Sequence, residues 1–205
     1  MVRYRLPIFG GRFLSERSDR VKVKAQLMDE MTLRRTLMRI SHEILEKNKG
    51  TEGLVILGIR RRGKTLAGMI RDNIEKIEGV RLPCGDLDIN FYRDDLTRAS
   101  EQPVLRDSLL TVPIAGKKVI LVDDVLYTGR TVRAGIEAIF AAGRPKEIQL
   151  AILIDRGHRE LPIRADYVGK SIPTAKTETV RVLVPEFDGE IAALLCDRDD
   201  ASGTN

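Results

Sequence analysis

Two adjacent carboxylates, Asp123 and Asp124, stand at the end of an apolar run at residues 119–122. Thr128 and Gly129 follow them, just before an Ala-rich segment with the composition of a helix. A buried strand that passes through such a loop into a helix N-terminus presents backbone N–H groups to an anion, and glycine allows close approach. The pattern therefore predicts a phosphate cradle beside a paired acidic group.

A second candidate phosphate loop occupies residues 58–65, where the sequence GIRRRGKT follows another apolar run. It has the spacing of a Walker A motif, whose glycines wrap phosphates and whose Lys and Thr contact phosphate and Mg²⁺. The sequence VILVDD at 119–124 could serve as a Walker B strand, so a P-loop nucleotide kinase is one interpretation. Two features argue against it. Three arginines fill the loop where a kinase needs small residues, and a Walker B strand does not require the cradle that follows Asp124.

Two anion sites with a paired carboxylate between them suit a ligand with phosphate at both ends and hydroxyls in the middle. Phosphoribosyl pyrophosphate has this shape, and the segment VILVDDVLYTGRT closely resembles the motif of type I phosphoribosyltransferases that binds it. Four segments resemble the pyrimidine operon attenuator and uracil phosphoribosyltransferase family: residues 33–50, 89–96, 119–135 and 143–174. The resemblance covers residues 23–184 and implies an α/β fold of the type I phosphoribosyltransferase class, with a central, mainly parallel sheet flanked by helices.

The resemblance implies a reaction of uracil with phosphoribosyl pyrophosphate that gives UMP and pyrophosphate, with Mg²⁺ on the pyrophosphate. The implied catalytic residues are Asp123, Asp124 and Arg93, and the two carboxylates would also hold the metal indirectly. The implied residues that bind phosphoribosyl pyrophosphate make up the whole motif: Val119, Ile120, Leu121, Val122, Asp123, Asp124, Val125, Leu126, Tyr127, Thr128, Gly129, Arg130 and Thr131.

Two further parts of the active site are expected. Arg61, Arg62 and Gly63 resemble the family's pyrophosphate loop, although a small hydroxyl residue commonly stands where this chain has Arg61. Asp155 and Arg156 follow another apolar run, at the end of a strand where open α/β sheets collect ligand contacts. We place the uracil pocket there.

The resemblance also implies binding of a stem-loop in pyrimidine-gene leader RNA, controlled by the uridine nucleotides UMP or UTP. At 100° per residue Arg35, Arg39 and His42 fall within about 60° of one another on a helix, opposite its apolar residues. Such a stripe by itself is typical of a solvated face. Together with Arg159, Arg164 and Lys170 it resembles the family's RNA-binding face, although Met38 replaces a common Thr. A regulator that binds RNA without catalysis is the third interpretation.

Alternating apolar runs and helical patterns must position these groups. They predict strands at 53–58, 86–92, 118–123, 148–154 and 180–184, and helices at 29–48, 64–77 and 131–142. The stretch 93–116 is expected to be a long polar loop. Residues 1–22 are expected to form a flexible basic extension, residues 23–196 the phosphoribosyltransferase domain, and residues 197–205 a polar tail.

The composition of the 205 residues, 42% hydrophobic and 32% charged, fits a soluble globular domain and excludes a disordered chain or a disulfide-stapled mini-protein. The longest apolar runs fall far short of the roughly 20 residues that a bilayer span needs, so we expect no membrane span. Two separated cysteines predict reduced thiols in a cytoplasmic protein. Because Trp is absent, contacts with RNA must depend on charge and hydrogen bonds. We also expect a homo-oligomer, a dimer or higher.

Overall fold

The computed structural model describes residues 22–89, 110 and 112–197. Arg93, most of the predicted loop 93–116, the extension before Lys22 and the tail after Asp197 lie outside the described residues. The elements, in chain order, are β1 (Val23–Met28), α1 (Glu30–Asn48), β2 (Leu54–Ile59), α2 (Arg62–Glu78), β3 (Cys84–Leu87), β4 (Lys118–Leu126), α3 (Arg130–Ala142), β5 (Glu147–Asp155), β6 (Tyr167–Ser171), β7 (Glu178–Leu183), α4 (Pro185–Asp188) and β8 (Ala192–Asp197).

A five-stranded parallel sheet in the order β3-β2-β4-β5-β6 forms the centre of the fold. The chain moves from β2 outward to β3 on one side, and from β4 outward to β5 and β6 on the other. The strand order therefore reverses between β2 and β4. Open α/β sheets bind ligands at such a point, in the crevice beyond the carboxyl ends of the strands.

Successive side chains of the buried strands pack against helices on the two faces of this sheet. Ile120 of β4 packs with Ile40 of α1 and Ile70 of α2 in one apolar cluster. Its neighbour Leu121 packs with Ile139 of α3 in the other. The predicted α/β class, a parallel sheet flanked by helices, is thereby confirmed. Among the helices of the described ranges, none has the length and apolar character required to cross a membrane.

A separate three-stranded antiparallel sheet in the order β1-β8-β7 joins the two ends of the described chain. Its helical turn α4 is fastened to the start of α2. Nη2 of Arg62 lies 3.2 Å from both carboxylate oxygens of Asp188, and the hydroxyl of Thr65 donates to Glu186 at 2.9 Å. These contacts attach the small sheet to the start of α2, directly after the loop that follows β2.

The predicted helices and three of the predicted strands, 53–58, 118–123 and 148–154, are confirmed with shifts at their ends. The predicted strand 86–92 is displaced: β3 spans Cys84–Leu87, residues 88 and 89 are not part of a strand, and residues 90–92 lie outside the described residues. The predicted strand 180–184 corresponds to β7, which belongs to the small sheet. The pattern missed β1, β6, β8 and α4, which are short and partly exposed.

Candidate active site

The loop after β2, the acidic end of β4 and the residue after β3 surround one cavity of about 610 Å³. It lies at the crevice between β2 and β4 and is polar. The charged and hydroxyl groups that line it include Arg61, Arg62, Asp88, Asp123, Asp124 and Thr131. The structure therefore brings the acidic pair into one cavity with the arginines that follow β2 and with Thr131, which lies just after the second loop.

The acidic pair is held by the backbone at the end of β4. Asp123 is 6% exposed, and its Oδ1 accepts from the N–H of Asp124 at 3.0 Å. Oδ1 of Asp124 accepts from the N–H of Val125 at 2.9 Å. Burial raises the pKa of Asp124, while the side chain of Asp123 and the charge of Arg62 act in the opposite direction. Carboxylates that are fixed in place and largely buried stabilise positive charge more strongly than they would in water.

The phosphate loop after β4 has the geometry predicted from its glycine. Gly129 is the N-cap of α3 and has φ 96°, a conformation that L side chains rarely adopt. The first turn of α3 holds no acidic residue, so its N–H groups and partial positive charge remain suited to an anion. The hydroxyl of Thr128 accepts from the N–H of Arg130 at 3.4 Å.

Residues 157–163 form hydrogen bonds that hold the phosphate loop in place. The N–H groups of Glu160 and Leu161 donate to the carbonyl of Thr128 at 3.0 and 3.1 Å. The guanidinium of Arg159 donates to the carbonyl of Tyr127 at 2.7 Å and pairs with the carboxylate of Asp155. Arg159, predicted as an RNA contact, therefore has its guanidinium turned toward the phosphate loop.

The loop after β2, residues 60–62, which we call the arginine loop, carries three arginines that differ in their ionic partners. Arg60 pairs with Asp86 at 2.6 Å and with Asp88 at 2.8 Å, and Arg62 pairs with Asp188. Arg61 is exposed, lines the cavity and forms no hydrogen bond or ion pair with any residue of the described ranges. Within this loop Arg61 is therefore the cation most available to a diphosphate.

Close packing sets the position of this loop against the acidic pair. A Cβ added at Gly63 would lie 2.6 Å from the carbonyl oxygen of Val122, so any side chain there would force α2 away from β4. The Nε of Arg62, at the first residue of α2, is buried without a hydrogen-bond partner in the described part of the chain. The loop thus retains donor capacity beside Asp123 and Asp124.

The kinase interpretation does not fit the positions of Lys64 and Thr65. The Lys64 side chain is 59% exposed and its Nζ lies 3.8 Å from Asp86, outside the loop. The Thr65 hydroxyl donates to Glu186. A P-loop needs the lysine over the phosphates and the hydroxyl on the metal. The Walker A spacing in this chain therefore does not form a nucleotide-binding P-loop.

Asp155 and Arg156, predicted at the uracil pocket, lie at the end of β5 beside the phosphate loop. The carboxylate of Asp155 accepts from the N–H of Gly157 at 3.0 Å besides pairing with Arg159. Arg156 is 4% exposed, and its guanidinium lies 4.2 Å from the centre of the Tyr127 ring. Both side chains therefore make contacts with other groups of the protein.

The predicted RNA residues divide into two groups. Arg35, Arg39 and His42 are exposed on α1, and Arg39 donates to the carbonyls of Val168 and Gly169 on β6 at 3.0 and 2.8 Å. This brings the helix stripe next to Lys170. Arg164 is exposed but lines a groove with α3, which packs on the other face of the sheet. The α1 stripe and Lys170 thus form one basic surface, and Arg164 lies apart from it.

Sequence reasoning missed the acidic partners that organise the loops. Asp86 and Asp88 hold Arg60, and Asp188 holds Arg62. The alternation of two aspartates around Leu87 was the available signal for the first pair. No local signal points to Asp188, which is 126 positions from its partner.

Comparisons with known proteins show the family of this chain. A family model described as the phosphoribosyl transferase domain matches residues 24–186. The chain is 64% identical over 165 residues to the Bifunctional protein PyrR of Caldicellulosiruptor bescii, covering 80% of this chain and 91% of that protein. It is 59% identical over 167 residues to the Bifunctional protein PyrR of Clostridium perfringens, covering 82% and 94%.

Solved structures of hypoxanthine phosphoribosyltransferases share the fold. The Trypanosoma cruzi enzyme matches with a TM-score of 0.66 at 20% identity, over 88% of this chain and 94% of that chain. The Staphylococcus aureus enzyme matches with a TM-score of 0.64 at 21% identity, over 87% and 94%. At such identity the likeness concerns the fold alone. The family model and the PyrR relatives show that this chain belongs to the type I phosphoribosyltransferase family and, within it, to the bifunctional PyrR proteins.

Proposed function

We propose that this protein is a uracil phosphoribosyltransferase that also regulates pyrimidine gene expression by binding RNA. The observation that carries the enzymatic part is the pair of buried Asp123 and partly buried Asp124, which shares one cavity with the arginine loop and lies beside the Gly129 loop. In the reaction the bond from C1 of the ribose to the pyrophosphate oxygen breaks. The bond from C1 to N1 of uracil forms, and the N1 proton leaves.

The site works by holding both ends of phosphoribosyl pyrophosphate and by stabilising separated charge. The 5′-phosphate lies on the Thr128 and Gly129 loop, at the N-terminus of α3. The pyrophosphate lies against Arg61 and Arg62. Departure of the pyrophosphate leaves positive charge on the ribose, and the carboxylates of Asp123 and Asp124 bind its hydroxyls and stabilise that charge. By resemblance to the family, Arg93 of this chain would be a further catalytic contact.

The site fits Mg²⁺ that arrives on the pyrophosphate. Across the described ranges no three His, Cys, Asp or Glu side chains form a cluster that could hold a metal alone. Asp123 and Asp124 supply oxygen ligands of the kind that Mg²⁺ prefers, and a diphosphate supplies the others. The ion would supply positive charge to the leaving group, and Asp123 and Asp124, fixed by their hydrogen bonds at the end of β4, would be the residues that hold it.

The transfer is tested by measuring pyrophosphate and UMP from uracil, phosphoribosyl pyrophosphate and Mg²⁺. We expect turnover by the unaltered protein and its loss in the variant with both Asp123→Asn and Asp124→Asn. Glu137→Gln, which removes an exposed acid of α3 paired with Arg133, is the matched control and should retain turnover. Unchanged turnover in the double variant would remove the catalytic assignment, and ATP hydrolysis without pyrophosphate release would favour a kinase.

The regulatory part rests on the basic surface formed by Arg35, Arg39, His42 and Lys170. We propose Arg164, which lies apart from this surface beside α3, as a second contact with the RNA, and Arg159 contributes by fixing the segment that leads to Arg164. Each phosphate contact releases counterions, so affinity for leader RNA of the host's pyrimidine genes falls as salt rises. UMP or UTP changes that affinity.

RNA binding is tested by filter binding against those leader transcripts. Arg39→Ala and Arg164→Ala should each lower RNA affinity and leave turnover unchanged, while the Asp123 and Asp124 double variant should retain RNA affinity. Salt-independent or undetectable binding would defeat the regulatory function. Light scattering after size-exclusion chromatography measures the homo-oligomer that we propose, and fractionation of the host tests the proposed location in the cytoplasm.

A further inference from the structure

Arg156 is a buried cation at the end of β5, and it holds the connection between β6 and β7. Its Nε donates to the hydroxyl of Thr174 at 3.1 Å. Its Nη2 donates to the carbonyls of Ala175 at 3.3 Å and Glu178 at 2.5 Å. A buried guanidinium is costly unless its donors are used. These bonds therefore fix residues 172–177, which we call the β6–β7 connection, in one shape.

Further contacts fasten the same connection. Nε2 of His158 lies 2.6 Å from the carbonyl oxygen of Thr174, and the Thr174 hydroxyl donates to the carbonyl of Arg156 at 3.3 Å. The ring of Tyr127 lies against both Arg156 and His158, with centroids of the two rings 5.7 Å apart. This cluster thus fills the space between the phosphate loop and the β6–β7 connection.

The position of this cluster corresponds to the base end of a nucleotide. If the 5′-phosphate lies at Gly129 and the ribose at the acidic pair, the base must point away from the arginine loop that takes the pyrophosphate. The β6–β7 connection is the element next to the phosphate loop on that other side, through Tyr127 and Arg156. Arg156 itself is 4% exposed and covered by these groups, so it does not present its guanidinium to a ligand.

We propose that Arg156 is a positioning residue for the base: it holds the β6–β7 connection in the shape that receives a flat pyrimidine. The inference rests on the proposed phosphoribosyl transfer and assigns one residue's part in it. It predicts that replacement of Arg156 changes KM for uracil and not KM for phosphoribosyl pyrophosphate, because other residues hold the phosphate loop. Arg159 holds the carbonyl of Tyr127, and two N–H groups hold that of Thr128.

Steady-state kinetics with both substrates varied test the proposal. Arg156→Met should raise KM for uracil tenfold or more and change KM for phosphoribosyl pyrophosphate less than threefold. Thr174→Val, which removes the acceptor of the Arg156 Nε, should raise KM for uracil in the same selective way. Thr174→Ser keeps the hydroxyl and should have the KM for uracil of the unaltered protein. Because both act through one contact, the double variant should be no worse than Arg156→Met alone. Arg181→Met, at an exposed arginine of β7, is the matched control and should leave both constants unchanged.

An equal rise of both KM values, or an unchanged KM for uracil, would overturn the proposal. If Arg156→Met does not fold, the comparison of Thr174→Val with Thr174→Ser decides, and equal constants in these two would overturn it. The proposed transfer is judged separately on the unaltered protein. Absence of UMP there defeats the transfer, whereas UMP formation with no selective change in the variants defeats only the role of Arg156.

Discussion

Replacement of Arg61 by serine tests how the arginine loop binds a diphosphate. Arg60 and Arg61 are both exposed, but within the described residues Arg61 has no ion pair, whereas the other two arginines have acidic partners: Arg60 at 2.6 and 2.8 Å, and Arg62 at 3.2 Å. Arg61→Ser restores the small hydroxyl residue that is common in the family. We expect KM for phosphoribosyl pyrophosphate and the inhibition constant of pyrophosphate to rise together, because both ligands place a diphosphate on this loop.

The size of the effect follows from the exposure of Arg61. Two unit charges about 4 Å apart interact by about 1 kcal/mol in water and about 4 kcal/mol at an effective dielectric constant of about 20. Because the loop is open to solvent, the lower part of this range applies, about 1 to 2 kcal/mol, which corresponds to a change of about 5- to 30-fold. A buried and fully desolvated contact would give more.

The assay is pyrophosphate release over a range of phosphoribosyl pyrophosphate concentrations, at low and high salt. Arg61→Lys keeps the charge and should stay within about threefold of the unaltered protein, and the defect of Arg61→Ser should shrink at high salt as screening increases. If Arg61→Ser leaves both constants unchanged at low salt, Arg61 does not contact the diphosphate and the electrostatic account of this loop is wrong.

Gly129→Ala, at φ 96°, should cost about 1 to 3 kcal/mol of strain and raise KM for phosphoribosyl pyrophosphate, measured by urea unfolding and kinetics; unchanged stability would contradict the strained turn. Asp124→Asn should raise Tm at pH 7. Burial raises the pKa of Asp124 in the folded protein, so ionisation costs stability once the pH exceeds the unfolded value, and the gain should vanish below about pH 4. Tyr167→Phe breaks a 2.5 Å bond to Gln149 and should cost about 1 to 3 kcal/mol. Since burial raises the pKa of Tyr167 to about 12, calorimetry should give the same loss between about pH 6 and pH 9.

The sequence was most informative where one continuous segment carries both the element and its chemistry. The apolar run of β4, the acidic pair at its end and the glycine before α3 follow one another, so local pattern was enough to predict strand, loop and helix in order. The apolar face of α1 was predictable for the same reason, and Ile40 and Ile44 on it are at most 1% exposed.

Local sequence pattern could not predict the pairing of strands that are far apart in the chain. Strand β1 pairs with β8 at the opposite end of the described chain, and both are short. The inward orientation of charged side chains could not be predicted from local pattern either, because arginines are usually exposed. Arg156 and Arg159 instead turn inward and support the loops of the site, a role that becomes visible only when β5, β6 and β7 are placed together.

We propose that the arginine loop and the Gly129 loop hold opposite ends of a single phosphoribosyl pyrophosphate above Asp123 and Asp124. Calorimetric competition tests it most directly. We predict that ribose 5-phosphate and Mg²⁺-pyrophosphate bind one chain simultaneously, that phosphoribosyl pyrophosphate displaces both, and that ATP displaces neither. Displacement of only one of them by phosphoribosyl pyrophosphate, or of both by ATP, would contradict the account.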